Sequence, residues 1–165
     1  MAAGTTYEQI ATTTLSSATA SITFSSISGN YTDLILVFNG KMASGVGADT
    51  MALRFNSDTA TNYSATRLSG NGSTASSGRW STVDMGYTGV IDETQSVVIV
   101  SINDYSNTTT YKSALSRSND AAYGVYANVI LWRSTNAINT ILIRTYGNNN
   151  FASGSVATLY GIASA

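Results

Sequence analysis

Cysteine, histidine and proline are all absent from this 165-residue chain. Without cysteine there is no disulfide, no thiolate nucleophile and no cysteine-ligated metal. Without histidine the commonest general base and the usual zinc ligand are missing, which excludes Ser-His-Asp and Cys-His chemistry. Charge is scarce as well: eight Lys and Arg face nine Asp and Glu, 10% of the residues against an ordinary share of about 25%. The net charge of −1 leaves no basic surplus to neutralise phosphates, so nucleic acid is not an expected partner. No apolar run approaches the ~20 residues of a membrane helix, and no membrane partner is expected. The opening Met-Ala-Ala-Gly-Thr-Thr lacks the basic and apolar regions of a secretory signal.

Polarity is carried instead by 24 Ser, 23 Thr and 14 Asn, and hydrophobic residues still make up 43%. Ten Tyr, four Phe and two Trp distinguish the chain from a disordered one. The length suits a single domain with a core of its own.

The apolar pattern has period two or falls into short blocks, and no stretch has helical spacing. Candidate strands run over Tyr7 to Leu15, Ser21 to Phe24, Asp33 to Phe38, Met51 to Phe55, Tyr63 to Leu68 and Trp80 to Met85. Later ones run over Ser96 to Ile102, Tyr111 to Ser116, Tyr123 to Arg133, Thr140 to Tyr146 and Ala157 to Ile162. Turn formers separate them, among them Ser28-Gly29-Asn30, Asn56-Ser57-Asp58 and Ser118-Asn119-Asp120. About ten strands at this spacing predict an all-β antiparallel sandwich, jelly-roll-like, with essentially no helix. The unbroken apolar runs Leu34 to Phe38 and Val97 to Val100 predict strands buried on both faces. Two Gly- and Ser-rich segments, Ala43 to Asp49 and Ser69 to Gly78, predict long mobile loops. Residues 1–11 are expected as an extended N-terminal arm and 12–165 as the sandwich domain.

The carboxylates do not form a recognisable catalytic or metal motif. Asp92 and Glu93 are neighbours at an expected turn and would point apart on a strand. Asn103-Asp104 and Asn119-Asp120 lack the spacing of a calcium loop and read as turns that end strands. Gly45-x-Gly47 and Gly70-x-Gly72 lack the frame of a phosphate loop. A glycan-cleaving enzyme would have to use a cross-strand pair such as Asp92 and Asp120. No enzyme activity, cofactor or metal is expected. Low charge suggests a different role. Charged residues normally keep soluble monomers apart and blunt sheet edges, so a β protein with so few of them is expected to meet other copies or partners over much of its surface.

Longer phrases carry a resemblance. They are Tyr7-Glu8-Gln9-Ile10-Ala11-Thr12-Thr13-Thr14-Leu15, Tyr31-Thr32-Asp33-Leu34-Ile35-Leu36-Val37 and Leu53-Arg54-Phe55-Asn56-Ser57-Asp58. Asn103-Asp104-Tyr105-Ser106-Asn107 and Phe151-Ala152-Ser153-Gly154-Ser155-Val156-Ala157-Thr158-Leu159-Tyr160-Gly161-Ile162 continue the pattern. Across nearly its whole length the chain resembles a family of virion structural proteins of tailed bacteriophages, of the cyanophage type. The resemblance implies a non-enzymatic β module on the capsid exterior, assembled in the host cytoplasm. Its expected role is a decoration (cement) protein bound to the major capsid protein and associated with itself as a homotrimer. The alternative it leaves open is a tail-fibre or receptor-binding module for host surface glycans. On this reading Tyr7, Glu8, Gln9 and Ile10 of the arm bind the capsid partner, and Val46, Asp49, Asn71, Arg79 and Trp80 lie on exposed interaction loops.

Overall fold

A computed structural model of the chain describes residues 6–120 and 122–163. It contains twelve strands and, among the described residues, no helix. They are β1 (Tyr7–Thr14), β2 (Ser21–Phe24), β3 (Asp33–Gly40), β4 (Asp49–Phe55), β5 (Tyr63–Gly70) and β6 (Ala75–Val83). The second half supplies β7 (Gly86–Ile91), β8 (Ser96–Asn103), β9 (Lys112–Asp120), β10 (Gly124–Trp132), β11 (Ile141–Thr145) and β12 (Val156–Ile162).

Two antiparallel sheets face each other. The larger has the order β1-β12-β3-β8-β9-β10-β5-β6 and the smaller β2-β11-β4-β7. Eight strands, β1, β2, β3, β4, β7, β8, β11 and β12, wind back and forth between the sheets in an order compatible with a jelly roll. The hairpins β5–β6 and β9–β10 both join the β8 side of the larger sheet and extend it into a wing. β7, the last strand of the smaller sheet, provides most of the packing against that wing, chiefly on β9 and β10 and also on β5.

The core fills the space between the sheets. Leu34, Leu36 and Phe38 of β3 and Val98, Val100 and Ile102 of β8 meet Met51, Leu53 and Phe55 of β4 and Ile141 and Ile143 of β11. Each of these is essentially out of water, and alternation along each strand puts them on one face. At the wing end, the Phe55 ring lies 5.6 Å from Trp132 and 6.2 Å from Tyr63. The Tyr63 hydroxyl accepts the backbone N–H of Phe55 at 2.9 Å, so this buried ring has its polar tip satisfied.

Four expectations change. The strand count rises because Gly86–Ile91 is a strand. Its two glycines and six consecutive buried positions give no alternation to recognise. Gly86 is required there, since a Cβ would stand 2.5 Å from Ile130 Cγ2. Next, Ser69 to Gly78 is not a long loop: β5 and β6 continue to Gly70 and from Ala75, leaving only Asn71 to Thr74 as a turn. Asn71 Oδ1 accepts the N–H groups of Ser73 and Thr74 at 3.0 and 2.8 Å and closes that turn. Third, residues 7–11, expected in an arm, belong to β1 and pair with β12, Tyr7 opposite Ile162. Residues 1–5 of that arm lie outside the described residues. Fourth, β3 and β8 are not buried on both faces. Ile35, Val37, Val97 and Ile99 point away from the core and are only half-buried.

Candidate functional site

That fourth difference leads to the most unusual surface of the protein. Side chains on the outer face of the larger sheet follow from the register. Val37 is opposite Ile99, Ile99 opposite Arg117, and Arg117 opposite Ala127, which in turn is opposite Leu68. One step along the strands, Leu115 is opposite Val129, and one step the other way Val125 is opposite Asn119. Leu68, Leu115, Val125 and Val129 are 62%, 53%, 60% and 51% exposed. Aliphatic side chains therefore recur on this face across five adjacent strands, exposed on β9, β10 and β5 and half-buried on β3 and β8, with Arg117 and Asn119 of β9 among them. A shallow groove of about 520 Å³ crosses this face between Leu68, Val97, Ile99, Val125 and Ala127. Arg117, the one charged residue lining it, sits at its middle.

β9 is inverted relative to an ordinary half-buried strand, and β10, which buries Tyr126, Ile130 and Trp132, is apolar on both faces. In β9 the buried positions Ala114, Ser116 and Ser118 are small or polar, while Leu115 and Arg117 face solvent. In β10 Asn128 is buried and Val125 and Val129 are exposed. Some of the buried polar groups are satisfied: Ser116 Oγ and Asn128 Nδ2 both donate to the Thr88 carbonyl at 2.7 Å, whereas Ser118 Oγ and Asn128 Oδ1 are buried with no hydrogen-bond partner among the described residues. Burial without such partners would cost more than burial of an apolar residue. An isolated soluble monomer gains nothing from placing its apolar residues outward, whereas a surface covered by another protein does.

The residues singled out from sequence do not converge on one site. Tyr7, Glu8, Gln9 and Ile10 lie on β1, whose outer side has no partner strand among the described residues. Tyr7, Glu8 and Gln9 are exposed there, and Ile10 packs against the core. Val46 remains in a loop but is half-buried against the core. Asp49 begins β4, and its Oδ2 accepts the Gly147 N–H at 3.0 Å and the Asn149 amide at 2.9 Å. It fastens the β11–β12 connection, which is a structural task. Asn71 is exposed at the β5–β6 turn. Arg79 and Trp80 are strand residues of β6, Arg79 exposed and Trp80 half-buried with its ring edge-on to Tyr87 at 5.2 Å.

The carboxylates considered for catalysis also carry the fold. Asp120 is buried and accepts from Ser96 Oγ at 2.9 Å, Thr94 Oγ1 at 2.7 Å, and the N–H groups of Ala122 and Asp92 at 3.0 and 3.2 Å. Burial pushes its carboxyl up, but the converging donors outweigh that and hold it below the usual carboxylate range. Asp92 Oδ1 is occupied by the N–H and hydroxyl of Thr94. Among the described residues no group of three or more acidic side chains is placed to hold a metal.

Sequence reasoning passed over Leu68, Leu115, Arg117, Val125 and Val129. The signal was present in Ser113-Ala114-Leu115-Ser116-Arg117 and Val125-Tyr126-Ala127-Asn128-Val129, where either phase of the alternation places polar residues on one side. Only the packing of β7 decides which phase points inward.

Comparisons with known proteins add little. No family model and no curated protein matches the chain. Among solved structures, alginate lyase Aly36B aligns at 12% identity with a TM-score of 0.38, covering 90% of this chain and 75% of that one. A variant of Aly36B in complex with alginate tetrasaccharide aligns at 13% identity and a TM-score of 0.36, covering 91% and 76%. Likenesses this loose carry no argument about the present chain.

Proposed function

We propose that the chain is a non-enzymatic virion structural protein, a capsid decoration protein that self-associates as a homotrimer and binds the major capsid protein. The observation that carries this reading is the outward-facing apolar surface of Leu68, Leu115, Val125 and Val129 on the larger sheet. Self-association gives that surface a cover, and repeating copies on a lattice turn weak single contacts into firm attachment. The outer edge of β1, with Tyr7, Glu8 and Gln9 exposed, is the place where an extended segment of the capsid protein adds a strand. The scarcity of charge favours close contact in the same way.

The test is oligomeric state together with attachment. Light scattering at tens of micromolar is expected to give three times the chain mass of 17.2 kDa. Val129→Asp is expected to return the chain to monomer and strip it from capsids in a sedimentation assay, because Val129 is 51% exposed and its replacement leaves the core untouched. Its neighbour Ile130, fully buried on the opposite face, is the contrast: Ile130→Ala is expected to cost about 2–5 kcal/mol of fold stability. A wild-type monomer, or a Val129→Asp variant that still assembles and binds, would sink the proposal.

A second reading, host recognition at a tail fibre, draws support from the four exposed tyrosines Tyr7, Tyr111, Tyr123 and Tyr146. Copy number on the particle separates the two, hundreds for a decoration protein and tens for a fibre tip, as the resemblance implies.

A further inference from the structure

On the inner side of the wing the smaller sheet stops short. β7 covers β9 and β10 and, through Tyr87, reaches Ala65 and Trp80 at the base of the β5–β6 hairpin, whose turn end extends beyond it as an overhang. Beneath that overhang is a polar recess of about 530 Å³, separate from the apolar outer face and within the size range of small-ligand sites. Arg67, Asn71, Ser76, Tyr123 and Tyr126 line it.

Arg67 is the notable member. Its guanidinium lies 5.1 Å from the centre of the Trp80 ring and 5.5 Å from that of Tyr126, held between two aromatic side chains. Gly78 makes this possible, since the Trp80 ring lies across it with an added Cβ only 3.0 Å away. The Nε–H of Arg67 is out of water and has no hydrogen-bond partner among the described residues. Among the described residues the one ion pair is Arg54 with Asp84, so no carboxylate neutralises Arg67. The two rings fix the guanidinium in place without neutralising its charge. The rest of the lining offers hydroxyls and an amide, with no carboxylate and no second cation. Tyr123, also in the lining, is 49% exposed and brings an aromatic ring to the recess.

We infer that this recess binds an acidic saccharide, with the Arg67 guanidinium on the anionic group of one sugar unit and the Tyr123 ring against its apolar face. A single guanidinium matches one negative charge, the charge of a uronate or a monosulfated sugar, and its fork pairs with either group. The paired Ser69 and Ser76 hydroxyls, 2.9 Å apart, keep further donor and acceptor capacity, and Asn71, whose Oδ1 closes the turn, keeps its amide N–H groups for the remaining sugar hydroxyls. A nucleotide fits less well, because no lysine, second arginine or helix N-terminus is present in the lining to take further phosphate charge. The inference uses none of the residues assigned to assembly and stands or falls apart from it.

Isothermal titration of the whole protein with three oligosaccharides of equal length decides it: a polyuronate, a sulfated galactan and a neutral glucan. Saturable binding of the polyuronate or the sulfated chain is expected, and whichever binds identifies the anionic group. The neutral chain is expected to bind at least about tenfold more weakly, the value of one charge-assisted hydrogen bond. Arg67→Gln is expected to remove that preference, and Tyr123→Ala to weaken binding up to about tenfold through lost stacking. Tyr123→Ala keeps the test open if Arg67→Gln does not fold. Equal binding of the neutral chain, no saturable binding of either acidic chain, or binding indifferent to Tyr123→Ala and to a folded Arg67→Gln would overturn the inference.

Discussion

The indole N–H of Trp132 donates to Asp58 Oδ2 at 2.7 Å, joining the end of β10 to the turn that leaves β4. Trp132 is among the largest buried side chains, and its one polar atom is satisfied by a carboxylate from a turn 74 residues away. The same carboxylate accepts from the Asn62 amide and the Ala60 N–H, each at 2.9 Å. Asp58 therefore ties the first turn of the wing to its last strand.

Replacing Asp58 by Ala is expected to destabilise the fold by about 1–3 kcal/mol, because the Trp132 N–H is left buried without an acceptor. Urea denaturation followed by tryptophan fluorescence measures it. A loss below about 0.5 kcal/mol, the range of an ordinary surface change, would mean that water replaces the carboxylate.

Asp120 governs an acid dependence. Its folded-state pKa is depressed by the donors of Ser96, Thr94, Asp92 and Ala122, so the folded protein holds the charged form more strongly than the unfolded chain does. The resulting stabilisation is complete above the unfolded carboxylate pKa of about 3.9 and is lost as pH falls through the lower folded value. Stability measured at pH 7 and at successive points below pH 5 is expected to fall in the wild type and to fall less steeply in Asp120→Asn. Parallel curves for the two proteins would assign the acid sensitivity elsewhere.

Gly89 allows β7 to approach the wing. Its φ is 148°, and a Cβ there would stand 1.8 Å from Ser118 Oγ. Gly89→Ala is expected to lower the melting temperature, whereas Gly72→Ala, at a turn with open space around it, meets only the backbone cost of its φ of 85°. That backbone cost is about 1 kcal/mol, so the melting temperature of Gly89→Ala is expected to fall well below that of Gly72→Ala. Equal melting temperatures would show that β7 shifts freely on β9 and β10.

Much of the sandwich was legible because its core strands carry strong signals. Leu34, Leu36 and Phe38 are large and aliphatic or aromatic, and the flanking turn residues place the strand ends within a residue or two. β7 was not legible, since Gly86 and Gly89 are selected by how closely β10 and Ser118 approach, a fact of packing rather than of local preference. The outer surface was misread for a related reason. A run such as Leu34-Ile35-Leu36-Val37-Phe38 records that both faces want cover, and it does not record whether the cover belongs to the same chain. Arg67 gave no sequence signal at all: its position among Trp80 and Tyr126 depends on the pairing of β5 with both β6 and β10.

The strand order also constrains how the protein is made. β12 lies between β1 and β3, and β11 lies between β2 and β4. During synthesis β1 and β2 therefore leave the ribosome ahead of their partners, and they wait until β11 and β12 have emerged. Neither sheet closes before then, so nascent chains carry unpaired edges for most of their translation, and a chain cut short before β11 strands β1 and β2 along with the missing end.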